Sequence, residues 1–102
     1  MKAAVLHGTN DMRFEDIEIK PCESDEVKIK VMAAGICGSD PPRVLKHWKY
    51  PVPAIPGHEF SGVIAEVGKD VKNVKVGDRV VAIPFIPCNE CEYCKRGLFS
   101  LC

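Results

Sequence analysis

Four of the six cysteines stand within fifteen positions, as Cys88, Cys91, Cys94 and Cys102, in the spacing C-x2-C-x2-C-x7-C. Two-residue gaps let neighbouring thiolates turn toward one centre, and the longer return brings the fourth back to close it. Zn2+ takes such an all-sulfur tetrahedral shell at sites that perform no chemistry, because four protein ligands leave no position for substrate. The same atoms admit two other readings, a pair of disulfides or an iron–sulfur cluster. The bacterial iron–sulfur pattern sets its fourth cysteine three residues after the third and follows it with proline, which residues 94–102 do not do. Disulfides require an oxidising compartment. The chain opens on strand-like Met1-Lys2-Ala3-Ala4-Val5 with no apolar leader, so a reducing cytoplasmic setting and zinc are expected. As the last residue of the sequence, Cys102 is the ligand expected to fray.

A second constellation lies outside that cluster. Cys37 is followed at a distance by Gly57-His58-Glu59. A thiolate, an imidazole and a carboxylate are the mixed ligand set of a catalytic zinc that keeps one position free. Asp40 is suited to accept the second N–H of His58 and fix its tautomer, and Ser39 to pass a proton. On residue types alone a plainer reading competes, with Cys37 a small buried hydrophobe and His58 a loop histidine. His58-Glu59 does not begin a zincin motif, because Gly62 occupies the place of the second histidine. His7 and His47 have no partner at ligand spacing, and Cys22 reads as a free loop thiol. Arg43, Lys46 and Lys49 read as a solvated helix face or as neighbours of an anionic substrate.

The elements that must position these groups are short. Lys2 to His7 and Met12 to Ile19 read as strands around the turn residues Gly8-Thr9-Asn10-Asp11. Glu26 to Met32 alternates so that Val27, Ile29 and Val31 face inward and the lysines outward. Ala33-Ala34-Gly35-Ile36 narrows to small side chains, as where backbone passes close to something else. Ser39 or Asp40 caps a short helix with proline in its first turn. Tyr50 to Pro56 is too rich in proline for a central strand. Phe60 to Val67 and Val80 to Phe85 are the last strands, with Gly62 a bulge or contact point. The pattern predicts a mainly β fold, a barrel-like sheet with one short helix and a metal-bound loop.

Fourteen basic residues balance fourteen acidic ones, which argues against a nucleic-acid surface. The longest apolar run, residues 80–87, is too short for a bilayer and holds two prolines. No G-x-G-x-x-G is present, so nothing here binds a dinucleotide unaided.

Taken together, Gly35-Ile36-Cys37-Gly38-Ser39-Asp40, Gly57-His58-Glu59-Phe60-Ser61-Gly62-Val63, Val67-Gly68, Val76-Gly77-Asp78-Arg79-Val80 and the cysteine lobe resemble the N-terminal part of the zinc-dependent medium-chain alcohol and polyol dehydrogenases. Within that family they look most like the galactitol-1-phosphate and sorbitol branch. The resemblance implies a GroES-like, partly open β-barrel spanning residues 1–102, with a structural zinc held by Cys88, Cys91, Cys94 and Cys102 in a lobe over 88–102. It implies a catalytic zinc on Cys37 and His58, with Glu59 as direct or exchanging ligand, Asp40 behind it and Ser39 as the hydroxyl that relays the substrate proton. The metal would polarise a hydroxyl of a polyol or sugar-alcohol phosphate, and a hydride would pass to NAD+ or NADP+. Pro42 stands where many relatives carry a histidine that extends the relay. The family's NAD(P)-binding Rossmann domain and a further ligand to the catalytic zinc are not among these residues. The chain is therefore expected to be a fragment of a homo-oligomeric enzyme, inactive alone. A stand-alone zinc-stabilised β module for protein interaction is the alternative.

Overall fold

A computed structural model describes residues 1–102. The first two strands form an antiparallel hairpin, β1 (Lys2–Gly8) with β2 (Asp11–Asp16). Asn10 makes the reversal possible by taking φ 61°, a left-handed conformation that asparagine tolerates. The expected strand to Ile19 is cut short: β1 pairs from Lys2 onward, and the last rung is the Ile17 N–H donated to the Met1 carbonyl at 2.8 Å. The proline-rich connection does touch the hairpin, through its one suitably placed N–H. Ala54 exchanges both backbone hydrogen bonds with Leu6, at 2.7 and 3.0 Å, while Pro53 and Pro56 beside it have no N–H to give.

The second sheet has the order β3-β4-β5, all antiparallel: β3 (Val27–Ala34), β4 (Phe60–Val67) and β5 (Arg79–Val81). Its register slips once between Lys28 and Ile29 and again between Val31 and Ala33. The second slip leaves Met32 unpaired on β3, opposite Gly62. A side chain at Gly62 would meet the Lys30 carbonyl oxygen at 2.4 Å, so the close approach of β3 to β4 needs glycine. Gly62 is thus the contact point and the bulge sits across from it. A bulge bends its strand and re-aims the residues beyond it, which here are Gly35-Ile36-Cys37. The slips also spoil the expected alternation on β3. Ile29 is half-buried, but Val31 is 53% exposed and Val27 lies at the surface, because no second layer covers that face. β5 stops at Val81, short of the expected Phe85; its ladder with β4 reaches only Ser61, and Pro84 cannot extend it.

The two sheets share no ladder and no barrel closes. Helix α1 (Asp40–Leu45) lies between them in the chain, with Pro41 and Pro42 in its first turn, and the Asn10 N–H ties the hairpin to it through the Val44 carbonyl at 2.8 Å. Helix α2 (Glu92–Lys95) and a 3-10 turn over Phe99–Leu101 build the cysteine lobe. The buried side chains are few: Ala3, Val5, Leu6, Val44, Ile64 and Cys94. The radius of gyration of 15.8 Å exceeds the roughly 13 Å of a compact chain this long. Ile36, Val81, Ile83 and Ile86 are all exposed. No helix is long and apolar enough to cross a membrane.

Candidate functional site

The bulged end of β3 and the start of β4 bring the second constellation together. Gly35 donates its N–H to the Glu59 carbonyl at 2.8 Å. A Cβ on Gly35 would sit 2.6 Å from Glu59 Oε2, so the missing side chain is what lets the carboxylate fold over the strand end. The small-residue run read from sequence therefore has a specific guest, the Glu59 side chain. Cys37, His58 and Glu59 each offer a ligand atom, and these atoms lie within 4.8 Å of one another. Cys37 and His58 are half-buried and Glu59 is exposed.

The residues around these three orient them. Asp40 accepts the Cys37 N–H on Oδ2 at 3.0 Å, while its Oδ1 lies 3.5 Å from His58 Nδ1. One carboxylate thus faces both, and it leaves His58 Nε2 for a metal. Ser39 occupies the N-cap position of α1 but makes no capping hydrogen bond. Its hydroxyl donates instead to Cys37 Sγ at 3.3 Å. The capping role expected of Ser39 is lost to this contact, because its αR backbone (φ −80°, ψ −18°) differs from the extended conformation a capping side chain needs. Beside His58 runs an open cleft of about 510 Å3, walled by Phe60, Ile83, Pro84, Phe85 and Ile86.

The other constellation is self-contained. All six cysteines are free, and the sulfurs of Cys88, Cys91, Cys94 and Cys102 lie within 4.8 Å of one another. Cys88 Sγ and Cys94 Sγ are 3.9 Å apart. The edge of a tetrahedron with metal–sulfur bonds of about 2.3 Å is ~3.8 Å, whereas a disulfide would need ~2.05 Å. The four sulfurs converge on one point rather than pairing, so the donor set fits a four-coordinate metal. Asn89, with φ 61°, turns the chain after Cys88. The Cys91 N–H then points at Cys88 Sγ (3.4 Å) and the Cys88 N–H at Cys102 Sγ (3.3 Å). Gly97, with φ 74°, ends α2 by donating to the Cys94 carbonyl at 2.9 Å. Cys102, expected to fray, is instead held in the cluster by that N–H and by its own N–H to Phe99.

Backbone donors hold the Cys88 thiol down at about 6, chiefly the Glu90 N–H and then that of Cys91. Burial pushes Cys94 up to about 12. Sequence reasoning missed these N–H donors. Asn89 two residues before Cys91 was the available signal, since asparagine in a left-handed turn presents consecutive amides to one side.

The remaining candidates stay apart. His7 faces Glu15 across the hairpin at 2.9 Å, and Cys22 donates to the Glu26 carbonyl at 3.1 Å. Neither is near a ligand cluster.

Residues 23–102 match the family described as Alcohol dehydrogenase GroES-like domain. The chain belongs to that family. Sorbitol dehydrogenase from Bacillus subtilis is 45% identical over 106 residues, covering 100% of this chain and 30% of that protein. The crystal structure of galactitol-1-phosphate dehydrogenase from Escherichia coli superposes with a TM-score of 0.89 at 38% identity, covering 100% of this chain and 30% of that one. A zinc-binding dehydrogenase from Sinorhizobium meliloti bound to NADP does so at 0.87 and 32% identity, covering 99% and 30%. The chain therefore spans about 30% of the length of the relatives it matches. The mainly β, GroES-like architecture expected from the motifs is what these neighbours share. Both ligand clusters of this GroES-like domain fall inside the matched region.

Proposed function

We propose that residues 1–102 are the metal-holding part of a zinc-dependent, NAD(P)-linked dehydrogenase that oxidises a secondary hydroxyl of a polyol or sugar-alcohol phosphate. The observation that carries this reading is the convergence of Cys37, His58 and Glu59, with one Asp40 carboxylate facing both Cys37 and His58. A divalent zinc ion bound there supplies Lewis acidity toward a substrate hydroxyl. Cys37 and His58 hold it, and Glu59, being exposed, is the ligand free to exchange. Cys88, Cys91, Cys94 and Cys102 hold a second zinc with structural effect only.

The chain's own residues do the rest. Asp40 keeps the Nδ1 proton of His58 in place and stabilises positive charge on the ring. Ser39 directs its hydrogen to Cys37 Sγ, which leaves its oxygen lone pairs free to accept the proton of a substrate hydroxyl. With Pro42 two positions before Val44, no imidazole follows Ser39 in the first turn of α1, so the proton leaves Ser39 to solvent or to the substrate's next hydroxyl. Phe60, Ile83 and Phe85 wall one side of the His58 cleft and keep water from it. The dinucleotide has no cradle here, and the parent enzyme binds it elsewhere.

The test is a metal count with a spectroscopic arm. The purified chain is expected to hold about one zinc per molecule tightly, in the lobe. Cobalt added afterwards is expected to enter the Cys37/His58 site weakly and give a thiolate charge-transfer band absent from C37S. No NAD+ reduction with a polyol is expected from these residues alone. A cobalt band that survives C37S would sink the proposed site, and steady NAD+ reduction would sink the division of labour.

A further inference from the structure

The chain is neutral as a whole, yet residues 41–58 contain no aspartate or glutamate and carry Arg43, Lys46, His47 and Lys49. Three of these meet. Arg43, His47 and Lys49, with Pro42 and Tyr50, line a cavity of about 350 Å3. No acidic side chain lines it, and none of its cationic groups takes part in an ion pair. Lys2, Arg13, Lys28, Lys75 and Arg96, by contrast, each face a carboxylate. Uncompensated cations around one cavity point to an anion.

The backbone is prepared in the same sense. The last carbonyls of α1 would repel an anion, but the His47 N–H donates to those of Pro42 (3.1 Å) and Arg43 (3.2 Å). Tyr50 is held edge-on against Trp48, with ring centroids 5.3 Å apart. Arg43 follows Ser39 by four residues, and Ser39 already has helical backbone angles. The two therefore share a face of α1 one turn apart, about 6 Å along the axis. Ser39 in turn touches Cys37 Sγ. The cavity thus lies a helical turn from the atoms assigned to the reaction, a distance that a pentitol or hexitol chain can bridge.

We propose that the Arg43–His47–Lys49 cavity binds the phosphate monoester of an alditol phosphate whose hydroxyl end reaches Cys37 and His58. Arg43 supplies the planar fork that pairs with two phosphate oxygens, and Lys49 a point charge. The assignment rests on the dehydrogenase reading and narrows it to phosphorylated substrates. A dinucleotide phosphate offers the same chemistry, and the experiment separates the two.

The zinc-loaded chain is titrated with a hexitol, the corresponding hexitol 1-phosphate, inorganic phosphate and NADP+, following backbone and imidazole NMR resonances. The hexitol phosphate is expected to bind ~10-fold or more tighter than the hexitol, moving signals of Arg43, Lys49, Cys37 and His58 together. Inorganic phosphate should move only those of Arg43, His47 and Lys49, and weaken with salt. Arg43→Gln should erase the phosphate advantage while leaving the hexitol's own response and the melting temperature unchanged; Arg43→Lys should restore part of it. Equal affinity for hexitol and hexitol phosphate, or an unaltered advantage in R43Q, overturns the cavity assignment and leaves the metal reading standing. Tighter binding of NADP+ at Arg43 than of the hexitol phosphate overturns it in favour of the dinucleotide. Phosphate shifts at Arg43 with no response at Cys37 or His58 to either polyol overturn the metal reading, and the alditol with it.

Discussion

The two ligand clusters of this domain use cysteine in opposite ways. The lobe draws four sulfurs from one contiguous stretch, residues 88–102, and stitches them with local N–H donors. The Cys37 cluster draws unlike atoms from two distant segments, and its geometry depends on a bulge in β3, a glycine at position 35 and the first turn of α1. A closed shell of like ligands can be folded locally and needs no substrate position. A mixed and open shell needs the sheet to hold it and neighbours such as Asp40 to orient it. Structure and chemistry are thereby separated, and each can be broken without the other.

The largest effect should come from the lobe. Structural zinc in small lobes contributes on the order of 10–16 kcal/mol of apparent binding energy, all of it folding energy. Cys94 is the only lobe ligand buried in the protein. Cys94→Ser, or a strong chelator, is expected to melt residues 88–102 and remove the tight zinc. The amide-exchange protection of β3 and β4 should survive. Loss of that protection would show that the lobe and the sheet fold as one, and the comparison would fail.

Next in size is the orienting carboxylate. Asp40→Ala removes the acceptor of the Cys37 N–H and the partner of His58 Nδ1, and outer ligands of this kind are commonly worth ~10–100-fold in metal affinity. Cobalt affinity at the Cys37 cluster should fall by that order while zinc in the lobe is untouched. A fall in both sites would mean that Asp40 supports the fold and not the site.

A pH series sharpens the same contrast. Thiols must lose their protons to ligate. Cys88, held at about 6, is already largely ionised at neutral pH, whereas Cys94, pushed up to about 12, keeps its proton until metal arrives. Zinc uptake by the lobe at pH 7 should therefore release the Cys94 proton, visible as a buffer-dependent calorimetric heat. Apparent affinity should fall as pH drops, and more steeply below about 6, where Cys88 must also be deprotonated. A heat independent of buffer would contradict the assignment of Cys94 as a thiolate ligand.

This difference also explains what could be read from residues alone. The lobe was legible because spacing and chemistry coincide: C-x2-C-x2-C-x7-C names both the ligands and their geometry. Cys37 and His58 were legible only through resemblance, since nothing in a lone cysteine and a distant histidine fixes their meeting; the sheet does that. Gly35 could be read as a place of close approach, but not the Glu59 carboxylate that approaches it. Strand lengths failed where a partner ran out, at Ile17 and Val81. The Val27 and Val31 pattern failed because alternation predicts which side chains share a face and says nothing about whether another layer covers it.

The smallest expected effect tests whether the sheet is only a platform. Lys28 lies opposite Glu66 where β3 meets β4, and its ammonium donates to the carboxylate. That hydrogen bond holds the Glu66 carboxyl below its ordinary 4.5, against the opposing pull of desolvation. A carboxyl lowered in the folded state stabilises above its unfolded pKa, and that contribution disappears as pH falls through the folded value. Glu66→Gln should therefore lower the melting temperature slightly at pH 7, less in high salt because the pair is exposed, and not at all at strongly acid pH. The pair sits at the end of β4 remote from Phe60, so cobalt affinity at Cys37 and His58 should stay constant, as should zinc in the lobe. A drop in cobalt affinity with lobe zinc unchanged would show that strain at the far end of β4 reaches the open cluster and not the closed one. Dependence on the sheet would then be graded along the strand, and the open cluster would be the part of the domain whose geometry is set from a distance.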